Sequence, residues 1–203
     1  MTLVYKKEFL FKEGHFTYKT FNQRPRTEIL GVHQVHGNAL FEGHLPIPEK
    51  LSEADGIFCS FHEKNLPKIA IVTADCLPIT LIGSHGMALI HAGWKGLKAN
   101  IVQQPQLLRI RPFFAFIGPH IRDCCYEVDQ SFSNHFPETT NLQNNTGPQF
   151  FFSLEKEASH QLKKAFPNLK LDSSHRCTKC HEKFHSYRRN QTEKRNWNIL
   201  EKR

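Results

Sequence analysis

The sequence of 203 residues has no long hydrophobic run, no internal repeat and no low-complexity tract. Its apolar stretches fall well short of the roughly 20 residues that a membrane-spanning helix needs. Residues 1–7 also lack the apolar core of a secretory signal, so we expect a cytoplasmic protein with no membrane partner. Because no linker divides the chain and 39% of its residues are hydrophobic, the sequence predicts one domain over residues 1–203.

A disulfide framework is not expected either, although the sequence contains six cysteines. Cytoplasmic proteins keep their thiols reduced, which argues against structural disulfide bonds in a chain of this kind. The cysteines are therefore candidates for catalysis, for metal binding or for simple packing in the core.

Negative charge is scarcer than positive charge, and the net charge of +8 favours an acidic partner or an anionic substrate. Eight basic residues lie in the last 25 positions: Lys179, Lys183, Arg188, Arg189, Lys194, Arg195, Lys202 and Arg203. One interpretation of this tail is contact with nucleic acid or phosphate. We favour the other, a solvated and partly frayed terminus, so nucleic acid is not an expected partner.

The apolar pattern predicts an α/β (mixed α+β) fold, with mixed β-sheets and helices packed outside them. Short apolar runs predict strands at residues 29–35, 55–60, 68–73, 79–82, 87–91, 113–117, 185–189 and 197–200. Helices are predicted after residue 96 up to residue 104, over residues 128–136 and over residues 156–165. The last of these is the best defined, because Ser153 can cap its N-terminus and Pro167 stops it.

Two histidines and one cysteine stand at the ends of three apolar runs: His36, Cys76 and His91. Strand ends beside small or turn residues allow side chains to converge on one cleft. Two imidazoles and one thiol are the ligand set of an open zinc site, which acidifies a bound water. The same residues also suit a Cys76 nucleophile with histidine bases. The alternative to both is a packed thiol with two hydrogen-bonded core histidines.

Neighbours of these three residues have secondary roles in this interpretation. Asp75 would face away from Cys76 in an extended chain, so it is expected to accept hydrogen bonds rather than to bind a ligand. Residues 93–96 join a strand to a helix, where Lys95 can hold an anion and Trp94 can stack on a planar ring. A tight turn with the indole in the core is equally compatible with this segment.

Two further cysteine pairs carry weaker signals, and for the adjacent pair we favour packing in the core, with at most one functional thiol. Cys124 and Cys125 are adjacent, and neighbouring side chains cannot both point into one site if the chain is extended. Cys177 and Cys180 have the C-x₂-C spacing of a zinc knuckle, but a complete site needs two more ligands. Nearby histidines would supply them only awkwardly, so the role of Cys177 and Cys180 stays open at this point.

Five segments together resemble a known family. They are residues 34–37, 74–78, 91–96, 118–128 and 184–189. In this order they are similar to the motifs of the purine nucleoside phosphorylase family long described as laccase-domain or polyphenol oxidoreductase proteins. The resemblance spans about residues 31–190 and implies a mixed α/β fold similar to that of a bacterial toxin deamidase.

The resemblance also implies a chemistry. In that family the residues matching His36, Cys76 and His91 bind zinc and form the active centre, with copper as an older assignment. The implied reaction is phosphorolysis of adenosine, guanosine, inosine or methylthioadenosine to the base and the ribose 1-phosphate, with adenosine deamination as a further activity. The expected partners are therefore a purine nucleoside and phosphate, and the phosphate- and substrate-binding candidates are Lys95, Trp94, Arg188 and Arg189.

The sequence departs from the family pattern at three points. The usual Gly-Gly-Val-Ser segment and the Gly-Asp-Asp/Asn-Arg stretch before the histidine turn are missing, which indicates a shortened member. Lys95 stands where arginine is typical, and it offers a point charge without a bidentate fork. Residues 192–195 read Thr-Glu-Lys-Arg in place of Thr-Gly-Arg. These changes put the usual contacts to purine and phosphate in question.

Three rival functions remain open. A cysteine hydrolase or amidase would use Cys76 with His91 and would need no metal. A copper-dependent polyphenol oxidoreductase is disfavoured, because multicopper oxidases need several His-x-His pairs and none of the 13 histidines are two positions apart. A basic nucleic-acid-binding or regulatory protein would use the tail instead, and its binding would depend steeply on salt.

Overall fold

The computed structural model describes residues 1–63, 65–139, 141–144 and 149–203. The first seven strands are β1 (Leu3–Phe11), β2 (Gly14–Phe21), β3 (Leu40–Glu42), β4 (Gly56–Ser60), β5 (Ile69–Thr73), β6 (Leu77–Gly83) and β7 (Gly86–Ala92). The later strands are β8 (Pro112–Ile117), β9 (Glu127–Val128), β10 (Leu142–Asn144), β11 (Phe150–Phe152), β12 (Lys170–Ser173) and β13 (Asn196–Lys202). The α-helices are α1 (Trp94–Lys98), α2 (Leu154–Ala165) and α3 (Tyr187–Asn190), and 3-10 helices cover Ile101–Gln103, Pro105–Ile110 and Gln130–His135.

A mixed six-stranded sheet forms the centre of the molecule, in the order β12-β8-β6-β7-β4-β3. Its two middle strands, β6 and β7, are buried along their whole length. Because both faces of these strands are covered, they are continuously apolar instead of alternating. The antiparallel pairing of β6 with β7 places Pro78 opposite His91, so the segment before β6 meets the end of β7.

A four-stranded sheet in the order β1-β2-β13-β5 covers one face of the central sheet. Its buried side chains, such as Phe16, Tyr18 and Ile71, pack against Leu89 and Phe116 of the central sheet. The helices and a small sheet in the order β10-β11-β9 cover the other face. This arrangement of two packed sheets with helices outside confirms the predicted mixed α+β fold. None of the helices in the described residues is both long and apolar enough to cross a bilayer.

Most of the predicted elements are present. The predicted strands at residues 55–60, 68–73, 79–82, 87–91, 113–117 and 197–200 correspond to β4, β5, β6, β7, β8 and β13. The capped helix is confirmed as α2, in which the backbone N–H of Lys156 donates to Ser153 Oγ at 3.2 Å. These elements have strong local signals, namely continuous apolar runs or a capping residue.

Other predictions were wrong. Residues 29–35 form only isolated bridges, at Leu30 and His33. Residues 185–189 contain the start of α3, capped by Ser186, instead of a strand. The helix after residue 96 ends at Lys98, because Asn100 adopts a left-handed conformation with φ of 58°.

Two further expectations also failed. Residues 128–136 hold the end of β9 and a 3-10 helix instead of an α-helix. The tail is not frayed, since β13 lies inside the four-stranded sheet between β2 and β5. A strand with two hydrogen-bonded neighbours is held along its length, whatever the charge of the residues before it.

Candidate active site

The fold brings the three predicted ligands together. His36 lies in the loop before β3, Cys76 immediately precedes β6, and His91 lies near the end of β7. One donor atom from each residue, the Cys76 Sγ and a ring nitrogen of each histidine, lies within 4.8 Å of the other two. His91 is only 3% exposed, whereas Cys76 is half-buried and His36 is exposed. The group therefore has a buried side and a side that faces solvent.

Gly93 makes room for this group. A Cβ atom at this position would lie 3.0 Å from Cys76 Sγ and 3.8 Å from Cδ2 of His36. A Cβ–sulfur contact of 3.0 Å is tighter than an ordinary van der Waals contact. A side chain at residue 93 would therefore crowd Cys76, and glycine lets the backbone after β7 pass beside the group without displacing the thiol.

A buried carboxylate that sequence reasoning missed organises the two histidines. Asp55 is fully buried and accepts a hydrogen bond from Nδ1 of His91 at 2.8 Å. It also accepts the backbone N–H groups of His36, at 2.9 Å, and Gly37, at 2.6 Å. A carboxylate that is hydrogen-bonded in this way fixes the proton on Nδ1 of His91 and leaves Nε2 free to bind. The only signal in the sequence was an aspartate placed directly before a buried strand.

The loop that carries His36 is held from a second direction. The side-chain amide of Gln34 pairs with the backbone of Val72 in β5, donating to its carbonyl at 2.8 Å and accepting its N–H at 2.7 Å. His36 itself has φ of 61°, a left-handed conformation that non-glycine residues adopt rarely. The surrounding hydrogen bonds thus impose a local conformation that turns the imidazole toward Cys76.

The charges of this group favour a thiolate at Cys76. Burial raises the pKa of the Cys76 thiol, but the neighbouring His91 and His36 imidazoles more than compensate and lower it below its ordinary value. Burial lowers the pKa of His91, but the Cys76 sulfur and the Asp55 carboxylate raise it above its ordinary value. The thiolate is the form that binds metals and attacks carbon, so the site is prepared for either chemistry.

Asp75 has the accepting role that the sequence predicts for it. Its Oδ1 accepts the Thr178 hydroxyl at 2.6 Å and its Oδ2 accepts the backbone N–H of Arg188 at 2.7 Å. Its carbonyl accepts the N–H of Ile121 at 2.9 Å. With φ of 101°, Asp75 sits in a strained conformation, and these three contacts hold the turn that presents Cys76.

Trp94 and Lys95 lie in the first turn of α1. The Trp94 indole is half-buried and stacks on His135, with ring centroids 4.7 Å apart and an angle of 26° between the planes. Lys95 is exposed. They follow Gly93 by one and two residues, which leaves Lys95 available to an anion and Trp94 partly available to a planar ring.

The two predicted arginines differ in their contacts. Arg188 places its guanidinium over the Tyr126 ring at 4.8 Å and donates to the carbonyl of Glu127 at 2.7 Å. Arg189 donates to the carbonyls of Thr178, at 2.8 Å, and Lys179, at 3.1 Å, as well as to a third carbonyl. These contacts favour a structural role for Arg189, whereas Arg188 borders an open depression of about 580 Å³.

The structure also brings the two further cysteine pairs together. Cys124, Cys125, Cys177 and Cys180 each place their sulfur within 4.8 Å of the other three. Cys124 and Cys125 thus stand where Cys177 and Cys180 need two more ligands, and the expectation that the adjacent side chains cannot share one site was wrong. Among the residues that the structure describes, this cluster and the His36–Cys76–His91 group are the two sets of three or more donors close enough to share a metal ion.

Several proteins of known name are similar to this chain in sequence. The purine nucleoside phosphorylase of Aquifex aeolicus is 34% identical over 148 residues, which cover 70% of this chain and 68% of that protein. The purine nucleoside phosphorylase RC0672 of Rickettsia conorii is 34% identical over 154 residues, which cover 71% of this chain and 60% of that protein.

The same relation is seen in three dimensions. The crystal structure of YlmD from Geobacillus stearothermophilus matches with a TM-score of 0.75 and 26% identity, covering 87% of this chain and 74% of that one. Residues 16–200 match the family described as "Multi-copper polyphenol oxidoreductase laccase". This match extends over most of the sequence and includes all three candidate ligands, so the chain belongs to that family.

Proposed function

We propose that this chain is a zinc-dependent purine nucleoside phosphorylase, with one catalytic domain over residues 1–203. The observation that carries the proposal is the convergence of His36, Cys76 and His91 beside a buried aspartate. The proteins named purine nucleoside phosphorylase in A. aeolicus and R. conorii support the assignment of the substrate class. A cytoplasmic location remains a prediction from the sequence.

The donor set fits zinc. Two imidazoles and a thiol, one histidine being fixed by a carboxylate, are the ligands of catalytic zinc sites with an open fourth position. When bound there, zinc supplies a Lewis acid and acidifies a coordinated water. Multicopper chemistry fits less well, because the second donor set among the described residues consists of thiols alone.

The chain's other residues have distinct roles in phosphorolysis. A phosphate oxygen attacks C1′ of the ribose while the bond from C1′ to the purine breaks, and the base leaves with a proton. The cations of Lys95 and Arg188 bind and orient the phosphate, and Trp94 borders the purine. Asp55 keeps the His91 ring in one orientation throughout. Deamination of adenosine, in which water replaces the amino group at C6, is proposed as a further activity of the same centre.

The test is a product assay with adenosine and phosphate, read by mass spectrometry. The wild type should form adenine and ribose 1-phosphate, and any inosine reports deamination. Cys76→Ala should reduce both products to background, while Cys59→Ala, which removes a buried cysteine away from the site, should retain them. Absence of both products from the zinc-loaded wild type with each of the candidate nucleosides would refute the proposal.

A cysteine hydrolase is a second candidate, because Asp55, His91 and Cys76 stand in the order of orienting residue, base and nucleophile. In that case His36 is dispensable and metal removal leaves activity intact. The distinguishing experiment compares the His36→Ala variant and chelator-treated wild type, using ester hydrolysis and nucleoside cleavage as parallel assays. Loss of nucleoside cleavage in both samples supports the zinc enzyme, whereas ester hydrolysis that persists in both supports the hydrolase.

A further inference from the structure

The four-cysteine cluster is built where two distant parts of the chain are joined. His120 and Cys177 form a parallel β-bridge, with the N–H of His120 donating to Arg176 at 3.1 Å and the N–H of Thr178 donating to His120 at 2.9 Å. This bridge lays the segment that contains Cys124 and Cys125 beside the C-x₂-C turn. The cluster is thus a product of backbone pairing and is not a chance meeting of surface side chains.

Local backbone geometry lets both adjacent cysteines face the same point. Between Arg122 and Tyr126 the chain turns, since the N–H groups of Cys125 and Tyr126 both donate to the carbonyl of Arg122 at 2.9 Å. In such a turn successive side chains diverge by much less than the opposite directions of an extended strand. Cys124 and Cys125 therefore both reach Cys180, with sulfur–sulfur distances of 3.8 and 3.3 Å.

These distances suit a shared metal ion. A tetrahedron with zinc–sulfur bonds of about 2.3 Å has its sulfurs about 3.8 Å apart. A disulfide requires about 2.05 Å, and all six cysteines of the chain are free. Cys177 is buried while Cys124 and Cys180 are exposed, so an ion can enter from solvent and be closed in by sulfur.

We propose that Cys124, Cys125, Cys177 and Cys180 form a second, structural zinc site that fastens residues 118–126 to residues 177–180. Four thiolates are a closed ligand set, so the ion has no open position for a substrate. Binding releases the thiol protons to solvent and involves no change of oxidation state.

The site also supports the catalytic group. Thr178 lies between two of the cysteines and donates to Asp75, and Asp75 precedes Cys76. Ile121, on the other fastened segment, donates to the carbonyl of the same aspartate. The zinc site thus holds both segments that fix the turn at Asp75.

The test uses the full chain with Cys76→Ala, which removes a ligand of the first group and leaves the cluster intact. After exposure to zinc and desalting, we expect about one equivalent of tightly held zinc per chain, surrounded by four sulfurs at about 2.3 Å in X-ray absorption. Absence of zinc, ligands that are mainly nitrogen or oxygen, or a disulfide among the four cysteines would overturn the proposal.

Two matched variants in the same background locate the ion. Cys180→Ala should lose the equivalent of zinc, and Cys59→Ala should keep it, because Cys59 lies in the core outside the cluster. Retention of zinc with unchanged sulfur coordination in Cys180→Ala would contradict the assignment. If that variant does not fold, the X-ray absorption spectrum of the parent protein decides the question alone.

Discussion

The two cysteine-containing groups of this protein differ in how the fold surrounds them. The His36–Cys76–His91 group combines nitrogen and sulfur donors, is oriented by a buried carboxylate and opens to solvent at His36. The four-cysteine cluster has sulfur alone and joins two chain segments. Three donors leave one position of a tetrahedral metal ion open, whereas four donors leave none. Asp75 connects the two groups, so removing a side chain from one group should measurably change the stability or activity that depends on the other.

The largest contrast is expected from removing one cysteine of each group. Cys76→Ala should abolish nucleoside turnover because a ligand of the open site is lost. Cys180→Ala should instead lower the Tm, by on the order of 10 °C, because a metal that binds only the folded chain is lost. Turnover at low temperature and thermal unfolding measure the two effects. The proposed division between a catalytic and a structural group is contradicted if Cys180→Ala loses turnover completely while its Tm is unchanged.

The next largest effect is expected at Asp55. Asp55→Asn keeps the size of the side chain but removes the charge that holds His91. Changes at residues that orient metal ligands typically reduce metal affinity or activity by about 10–100-fold. Zinc affinity, measured by competition with a chromophoric chelator, and kcat should both fall within this range. An Asp55→Asn variant with wild-type zinc affinity would show that the carboxylate does not orient the ligand.

A smaller effect is expected at the link between the two groups. Thr178→Val removes the hydroxyl that donates to Asp75 at 2.6 Å in a buried setting. Hydrogen bonds to charged groups contribute about 1.5–3 kcal/mol, so the free energy of unfolding in urea should fall by about this amount.

Thr17→Val is its matched control. The hydroxyl of Thr17 is equally buried and makes no hydrogen bond to any residue that the structure describes, so this change should be neutral or slightly stabilising. Equal losses in the two variants would mean that the bond to Asp75 contributes nothing specific.

The smallest effect is expected at Glu155, in the dependence of the free energy of unfolding on pH. Burial raises the pKa of Glu155, but His120, Ser173 and Arg122 outweigh it and lower the value to about 2. A carboxylate with a lowered pKa stabilises the fold above its unfolded pKa, and this stabilisation disappears as the pH falls toward 2. Glu155→Gln should therefore cost about 1–2 kcal/mol near pH 7 and almost nothing near pH 2. Urea unfolding of the wild type and of Glu155→Gln between about pH 7 and pH 2 measures this loss. A loss that grows toward low pH would contradict the lowered pKa of Glu155.

The sequence predicts the ligands of the first group better than their surroundings. Cys76 and His91 stand at the ends of apolar runs, and this local pattern is enough to place them at the ends of two strands. No such pattern marks Asp55, because its role depends on three hydrogen-bond donors that the fold brings to its carboxylate from other segments. Long-range contacts of this kind cannot be inferred from spacing along the chain.

The four-cysteine cluster shows the same limit more sharply. In an extended chain the side chains of Cys124 and Cys125 would point apart. The turn that brings them together depends on Arg122 and on the bridge at His120, which no local signal indicates. Likewise, the sequence gives no indication that β13 pairs with β5, since Asn198 of β13 and Thr73 of β5 are separated by 125 residues.

The position of β13 has a consequence for the order of folding. β5 precedes Cys76 by only a few residues, and its hydrogen-bonded neighbour in the four-stranded sheet is β13, with Asn196 opposite Thr73. During synthesis β1, β2 and β5 are made long before β13, so the sheet keeps unpaired edges until residues 196–202 leave the ribosome. The segment that presents Cys76 thus receives its final support late, and a nascent chain contains the candidate ligands well before it can hold them in place.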